Sequence, residues 1–209
     1  LALTIVFSVN AQFWFQGNFS TAIQTANATA SGYASTAMGY NTTASGFAST
    51  AMGNLTIASG TSSTAMGFNT TAIGESSTAM GNTTVASGFA STAMGEITTA
   101  SGYASTAMGY DTTASGSSST AMGGYSIASG IVSTAMGSNT TASDFGSLVI
   151  GLYNSSGSSL TSATSATTFN TANTAFVIGN GTGTGVDASD AFKVLFNGDT
   201  YVSSSLYLG

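Results

Sequence analysis

The sequence contains no cysteine, proline or histidine, and charged residues make up only 4% of its 209 positions. Without cysteine no disulfide framework can form, so stability has to come from packing and strand pairing. Lys193 is the single basic residue, and the formal net charge is −6. A chain with this charge has no electrostatic basis for binding nucleic acid, and anionic membrane surfaces are disfavoured for the same reason.

Side chains that carry catalysis are equally scarce. With no histidine or cysteine and one lysine, general acid/base and nucleophilic catalysis have almost no material, so we expect no enzyme activity, no catalytic residue and no cofactor. Asp187, Asp190 and Asp199 are a weak candidate for a cation site, weighed against solvated turn residues or pairing with Lys193. We favour the turn reading and expect no metal.

A glycine-rich segment, residues 179–185, follows an apolar run and resembles a phosphate-binding loop only superficially. It lacks the GxGxxG spacing followed by a helix, and it contains no P-loop lysine. A plain turn is therefore the favoured interpretation.

Low charge does not mean disorder in this chain, because 42% of its residues are apolar. The first 11 residues are apolar and end in small residues before Gln12, which is typical of the end of a signal peptide cleaved after Ala11. The alternative is a native first strand, Leu1 to Val9. No later run approaches the roughly 18 apolar residues of a membrane-spanning helix. These features favour an exported protein.

Internal repeats dominate the sequence. Glycine recurs every seven residues from Gly32 to Gly137, and alanine every seven from Ala30 to Ala142. All eight methionines fall on one 14-residue period: Met38, Met52, Met66, Met80, Met94, Met108, Met122 and Met136. Each 14-residue unit is thus two related halves, one reading Ser-Thr-Ala-Met-Gly and the other usually Thr-Thr-Ala-Ser-Gly.

Each half predicts a short strand followed by a tight turn, in which glycine supplies backbone angles that other residues reach only with strain. Two strands and two turns make one coil. Nine coils, from about Ala28 to Gly151, stacked in parallel at about 4.8 Å, predict a rod roughly 40 Å long. A helix is excluded because glycine at every seventh position, with so much serine and threonine, would make it weak.

Strand alternation assigns the faces of the coil. Ser35, Ala37 and Ala44 point to one face, and Thr36 and Met38 to the other. The small face suits the interior of so narrow a coil, so alanine is predicted to line the roll. The opposite strand turns outward a β-branched, mostly hydroxylated column: Thr29, Thr43, Ile57, Thr71, Val85, Thr99, Thr113, Ile127 and Thr141.

The eight methionines, closed by Ile150 and flanked by a threonine column, would then form a continuous apolar stripe on one side of the rod. Such a stripe has to be covered. We therefore predict self-association with cyclic symmetry about this column. The predicted subunit interface is Met38, Met52, Met66, Met80, Met94, Met108, Met122, Met136 and Ile150.

Over about Ala28 to Gly151, the repeated Ser-Thr-Ala-Met-Gly and Thr-Thr-Ala-Ser-Gly units resemble the YadA-like head repeats of trimeric autotransporter adhesins. The resemblance implies an all-β, left-handed parallel β-roll (a β-solenoid) that forms a homotrimer at a surface. No heptad stalk and no membrane barrel appear in the sequence, which leaves its own route of transport and anchoring open.

The 14-residue period breaks after Gly151. We divide the chain into a lead-in with the signal remnant (1–27), the β-roll repeat domain (28–151), a Ser/Thr/Asn-rich bridge (152–174) and a C-terminal β-hairpin unit (175–209). The hairpin is predicted from Ala191 to Phe196, an Asn197-Gly198 turn, and Thr200 to Val202. This tail resembles the segment that precedes a self-cleaving intramolecular chaperone in trimeric tail fibres, which implies a chaperone following Gly209.

Aromatic residues at the turns have two interpretations, packing between coils or against a neighbouring subunit, and contact with a ligand. Tyr33, Phe47, Phe89 and Tyr103 are the candidate ligand-contact residues. The expected function is a secreted or surface-displayed fibre that adheres to an unknown surface, matrix or glycan, at a cell or on a virion. Ice binding through the threonine ladder is the alternative from another class, and a purely structural appendage subunit is a third.

Overall fold

The computed structural model describes residues 15–16, 23–25, 27–155 and 166–203. The predicted signal segment, Leu1 to Ala11, lies outside the described residues, as does part of the bridge. Within the described residues the fold is all-β, with 23 strands and one single-turn 3-10 helix at Gly185–Asp187. That part of the chain has no helix long and apolar enough to cross a membrane.

Each of nine coils contributes one long strand to a first sheet and one short strand to a second sheet. The long strands are β4 (Thr36–Tyr40), β6 (Thr50–Asn54), β8 (Thr64–Phe68), β10 (Thr78–Asn82), β12 (Thr92–Glu96), β14 (Thr106–Tyr110), β16 (Thr120–Gly124), β18 (Thr134–Ser138) and β20 (Leu148–Leu152). The short strands are β3 (Ala28–Ala30), β5 (Thr42–Ala44), β7 (Ile57–Ala58), β9 (Thr71–Ala72), β11 (Val85–Ala86), β13 (Thr99–Ala100), β15 (Thr113–Ala114), β17 (Ile127–Ala128) and β19 (Thr141–Ala142).

Five further strands complete the first sheet. β1 (Phe15–Gln16) and β2 (Ile23–Gln24) lie at its N-terminal end, and β21 (Thr174–Asn180), β22 (Asp190–Leu195) and β23 (Thr200–Val202) lie at its C-terminal end, so that one strand, β21, joins the coils to a hairpin. The coils pair in parallel and in strict register, since Met80 lies opposite Met94 and Ala79 opposite Ala93. The predicted β-solenoid of 14-residue coils is confirmed.

Alanine lines the interior, as the strand alternation predicts. The alanines at every seventh position from Ala30 to Ala142 are at most 1% exposed, and Val149 and Val177 continue the core at its C-terminal end. Because an alanine side chain removes little apolar surface from water, this core stabilises the rod weakly for its length. Most of the cohesion has to come from the strand ladders and from surfaces outside the coil.

Two columns of hydroxyls are also buried beside the alanines, and the threonine column was not among the predicted interior residues. Ser35 donates to the Gly32 carbonyl at 2.7 Å, and the same bond recurs at Ser49 and Ser77. The threonine hydroxyls have no protein partner within the described residues: Thr42, Thr56, Thr70, Thr84, Thr98 and Thr112. Each such hydroxyl costs about 1–3 kcal/mol, so the interior is less favourable than alanine alone would make it.

The next coil leaves no room for a Cβ in either glycine column, but only the Gly39 column also has a positive φ, which corrects the sequence interpretation for the Gly32 column. Gly39 has a φ of +126°, as expected for a backbone angle that favours glycine. Gly32 does not; a Cβ there would lie 2.0 Å from the Gly46 carbonyl oxygen of the next coil. The turns instead place Ala34 and Asn41 in the left-handed region, with φ of 56° and 51°. In the Gly32 column glycine is thus required by the close approach of successive coils.

The first sheet continues into the tail after the break in the period. β21 pairs in parallel with β20, so that Val149 lies opposite Val177 and Ile150 opposite Ile178. This spacing is 28 residues, twice the repeat. β22 and β23 then pair antiparallel, as the predicted hairpin requires. The C-terminal β unit therefore forms the last rungs of the same sheet.

The second sheet ends at β19, and a side chain replaces the next strand there. Asn154 is buried in the position that threonine or serine occupies in earlier coils, and its Oδ1 accepts from the Thr141 amide at 2.7 Å. Its Nδ2 donates to the Thr141 carbonyl at 3.0 Å. Both edge groups of Thr141 are thereby satisfied, which protects the sheet from an open end.

Replacing Asn154 with alanine should loosen this end of the second sheet. Two partly buried backbone groups of Thr141 would lose their partner, at a cost of about 1–3 kcal/mol, so exchange of the Thr141 amide hydrogen should speed up by about 10-fold or more. Hydrogen exchange measured by NMR tests this. Asn82→Ala, at an exposed turn, is the matched control and should leave the Thr141 amide unchanged; equal exchange in wild type and Asn154→Ala would contradict the capping role.

Candidate functional site

The outer surface of the first sheet is a half-buried apolar stripe, which we call the Met face: the Met38 column together with the flanking Thr36 column. Seven of its methionines are intermediate in exposure, and Met136 is exposed. Successive methionines lie directly opposite one another on paired strands, Met94 on Met108 for example. Each methionine thus packs on its neighbours, and the column leaves one unbroken apolar surface along the rod.

The Met face extends further than the sequence indicated. Phe176 and Ile178 of β21 alternate with the buried Val177, so they project outward with the methionines. On β22, Phe192 lies opposite Ile178, and the rings of Phe176 and Phe192 meet edge to face at 6.1 Å. The apolar stripe therefore runs from the first coil into the C-terminal hairpin.

One turn column carries the four candidate ligand-contact aromatics. We call it the Tyr33 column: Tyr33, Phe47, Thr61, Glu75, Phe89, Tyr103, Ser117, Ile131 and Phe145. The rings of Tyr33 and Phe47 stack at 5.4 Å and 10°, and those of Phe89 and Tyr103 at 5.2 Å and 4°. The four aromatic side chains remain 43–59% exposed even so. Packing between coils therefore occurs, and it leaves ring edges and outer faces open to solvent.

The other turn also carries large side chains. Its first position, the Tyr40 column, comprises Tyr40, Asn54, Phe68, Asn82, Glu96, Tyr110, Gly124, Ser138 and Leu152. Its second position, the Asn41 column, comprises Asn41, Leu55, Asn69, Thr83, Ile97, Asp111, Tyr125, Asn139 and Tyr153, all with positive φ. Residue identity changes from coil to coil in both columns, whereas the strand positions barely change.

The outer face of the second sheet carries a column of mostly threonine side chains on strands of two or three residues. We call it the Thr43 ladder: Thr29, Thr43, Ile57, Thr71, Val85, Thr99, Thr113, Ile127 and Thr141. Ile57 and Ile127 interrupt the ladder and are exposed, and Val85 interrupts it between them. The hydroxyl array is therefore narrow and discontinuous.

The tail carboxylates do not gather into a cation site. Asp190 accepts from the amide and hydroxyl of Ser155, and Asp199 accepts from the Asn197 side chain. Within the described residues no group of three or more His, Cys, Asp or Glu side chains is placed to hold a metal ion. The glycine-rich segment leads into the 3-10 turn Gly185–Asp187 and then into β22, so it does not open a helix that could bind phosphate.

Comparison with known proteins agrees with this geometry. The family model described as the YadA head domain repeat (2 copies) matches residues 26–42, 30–56, 44–70, 58–84, 72–96, 86–112, 100–126 and 128–154. No curated protein matches the chain. The tail resemblance to chaperone-bearing fibres is not tested by this match and stays a prediction. Since the matched repeats cover more than half of the 209 residues, the chain belongs to the YadA head domain repeat family.

Proposed function

We propose that this chain is a non-catalytic, surface-displayed fibre segment that assembles as a homotrimer through the Met face and adheres to a cell, matrix or other surface through its turns. The observation that carries the proposal is the Met face itself. When one chain of an oligomer is viewed alone, its subunit interface is exposed as a continuous apolar surface, and the Met face has this character. YadA-like heads form trimers, which supports cyclic closure about this face.

Sequence variation supports adhesion through the turns. In the Tyr33 column the residue changes from aromatic to Thr, Glu, Ser and Ile along the rod, while the flanking glycine and serine positions repeat. A scaffold with constant strands and variable, exposed turns can change its target without changing its fold. Exposed aromatic rings are the side chains that most often dominate the free energy of binding at protein interfaces.

Removing the four exposed rings of the Tyr33 column should abolish most surface binding. The variant carries Tyr33→Ser, Phe47→Ser, Phe89→Ser and Tyr103→Ser, and the column already tolerates serine at Ser117. We expect binding of the purified protein to cultured cells or matrix-coated plates to fall by at least about 10-fold. The matched control, Tyr40→Asn with Phe68→Asn, follows the native asparagines of the Tyr40 column and should leave binding within about twofold. Equal loss in both variants would contradict the assignment.

Ice binding would use a different surface, because it requires a regular array of threonines on the second sheet, the Thr43 ladder, and not variable turns. We expect no thermal hysteresis from the wild type, because Ile57 and Ile127 break the ladder. The double variant Thr71→Lys with Thr99→Lys should leave surface binding unchanged. Strong hysteresis in the wild type that disappears in this variant would overturn the adhesive function.

A further inference from the structure

A cleft of about 220 Å³ lies at the C-terminal end of the roll, where the Asn41 column meets the outer face of the second sheet. The residues that line the cleft include Tyr125, Ile127, Thr141, Tyr153, Asn154 and Thr184. These residues come from three successive coils and from the loop 181–188. No feature of the repeat predicts the cleft, because the loop comes from beyond the bridge.

The wall of the cleft that the loop supplies is fixed by backbone hydrogen bonds. Gly181 donates to the Leu152 carbonyl at 3.0 Å, and Ser189 donates to the Tyr153 carbonyl at 3.0 Å. Inside the loop, Thr182 donates to the Asp187 carbonyl at 3.1 Å. A Cβ at position 181 would lie 2.3 Å from the Tyr153 carbonyl oxygen, so glycine allows the loop to reach the coil. The cleft is therefore formed before any ligand arrives, which lowers the entropic cost of binding.

The chemistry of the cleft is neutral and mixed. None of the nine residues that line it is charged. They are two tyrosines, two asparagines, two threonines, one isoleucine, one glycine and one alanine. Tyr125 is 48% exposed and offers ring surface. A side-chain hydrogen bond with Tyr110 raises the pKa of Tyr125 above its ordinary value, and a phenol is uncharged at neutral pH even without that shift.

Hydrogen-bonding groups stand beside these rings. Asn139 uses one amide hydrogen on the Ser138 hydroxyl at 3.1 Å, which leaves its carbonyl oxygen and a second N–H for a ligand. Thr141 and Thr184 add two hydroxyls. Asn154 is different, because both ends of its amide already bind the Thr141 backbone. An apolar ligand would leave the threonine hydroxyls unpaired, which disfavours it.

We propose that this cleft binds one neutral sugar residue of a glycan, with a sugar face against the Tyr125 and Tyr153 rings and its hydroxyls on Asn139, Thr141 and Thr184. A sugar ring presents apolar C–H faces and a rim of hydroxyls, which matches this combination of rings, amide and hydroxyls. Phosphorylated and zwitterionic ligands lack a charged partner among the lining residues. The volume is below the roughly 300–1,000 Å³ of drug-sized pockets, so the cleft holds one ring while the glycan continues into solvent.

The cleft lies beside the outer face of the second sheet, whereas the Met face is the outer face of the first sheet. The inference rests on the proposed adhesive function and names a ligand class for it. It is independent of the Tyr33 column, which lies at the other turn of each coil.

Titration of the full chain with neutral methyl glycosides of glucose, galactose, mannose and N-acetylglucosamine, followed by saturation-transfer NMR, tests the cleft directly. We expect saturable binding of at least one probe, with a dissociation constant on the order of 1 mM for so small a ligand. Tyr125→Asn, which keeps a residue suited to positive φ, should weaken that binding at least 10-fold. Leu55→Asn introduces the same residue in the same column, five coils away, and should leave binding unchanged.

Absence of saturable binding for all four probes at tens of millimolar would overturn the site, as would equal binding by wild type and Tyr125→Asn. Equal weakening in Leu55→Asn would also overturn it, because the effect would then not arise in the cleft. Adhesion to cells or matrix is measured separately with the Tyr33 column variant. If no sugar binds in the cleft, the proposed adhesive function is unaffected. If the wild-type protein does not bind cells or matrix, both the adhesive function and the role of the cleft in adhesion are overturned.

Discussion

Met80→Asp combined with Met94→Asp should convert the assembled protein into monomers. The two positions lie opposite each other on β10 and β12, in the middle of the Met face. In a trimer packed about this face, six carboxylates would be buried without a cation, and Lys193 is the only basic side chain in the sequence. Each unpaired buried carboxylate costs several kcal/mol, far more than an interface of this kind can absorb. Light scattering coupled to size exclusion gives the mass directly.

The control is a variant that carries the same two added carboxylates on the second sheet instead of on the Met face. Thr99→Asp with Thr113→Asp places two carboxylates on neighbouring short strands, at half-buried positions of the Thr43 ladder. This variant should keep the mass of the wild type. Circular dichroism should show β structure in both variants, because all four positions face outward from each coil. A Met80→Asp/Met94→Asp protein that keeps the wild-type mass would show that the Met face is not the interface.

Gly88→Ala should strongly destabilise the rod, although it adds only one methyl group. A Cβ at Gly88 would lie 2.0 Å from the Gly102 carbonyl oxygen and 2.7 Å from its carbonyl carbon. Both atoms are backbone, so relief requires separating two coils and breaking ladder hydrogen bonds. We expect a loss of more than about 4 kcal/mol, in the range of severe core substitutions. For a chain of this size the unfolding temperature should fall by more than about 10 °C.

Gly124→Ala is the matched control. Gly124 occupies the Tyr40 column, where other coils carry tyrosine, asparagine or phenylalanine, and a Cβ there meets nothing within 4 Å. Its stability should change by less than about 1 kcal/mol, and a small gain is expected because alanine restricts the unfolded chain. Thermal unfolding should be compared at equal protein concentration, since assembly shifts the transition. Similar unfolding temperatures for the two variants would contradict the steric role of the Gly32 column.

The coil itself could be predicted from sequence because its constraints repeat. The methionine period fixed the 14-residue register, and the strand alternation placed Ala37 inside and Met38 outside, as the structure shows. What the repeat could not reveal was the reason for each glycine. Gly32 and Gly39 look alike in sequence, but only Gly39 has a positive φ. The contacts that exclude a Cβ at both positions come from the next coil and become visible only when coils are stacked.

The ends of the rod were harder to predict for a physical reason. The strand β21 follows a long polar segment, so its match to β20 at a spacing of 28 residues was hidden, although Val177-Ile178-Gly179 repeats Val149-Ile150-Gly151. Asn154 looked like one more polar residue of the bridge, whereas its amide completes the second sheet. The cleft beside Tyr125 depends on the loop that β21 brings back to the coil. The Met face, by contrast, followed from the sequence, although its role as an interface stays a prediction.

The mass of the unmodified protein in dilute buffer tests the central claim most directly. Self-association about the Met face predicts a single species of three times the 20.5 kDa chain mass by light scattering, persisting on dilution. A stable, soluble monomer with its methionine column exposed to water would contradict the account.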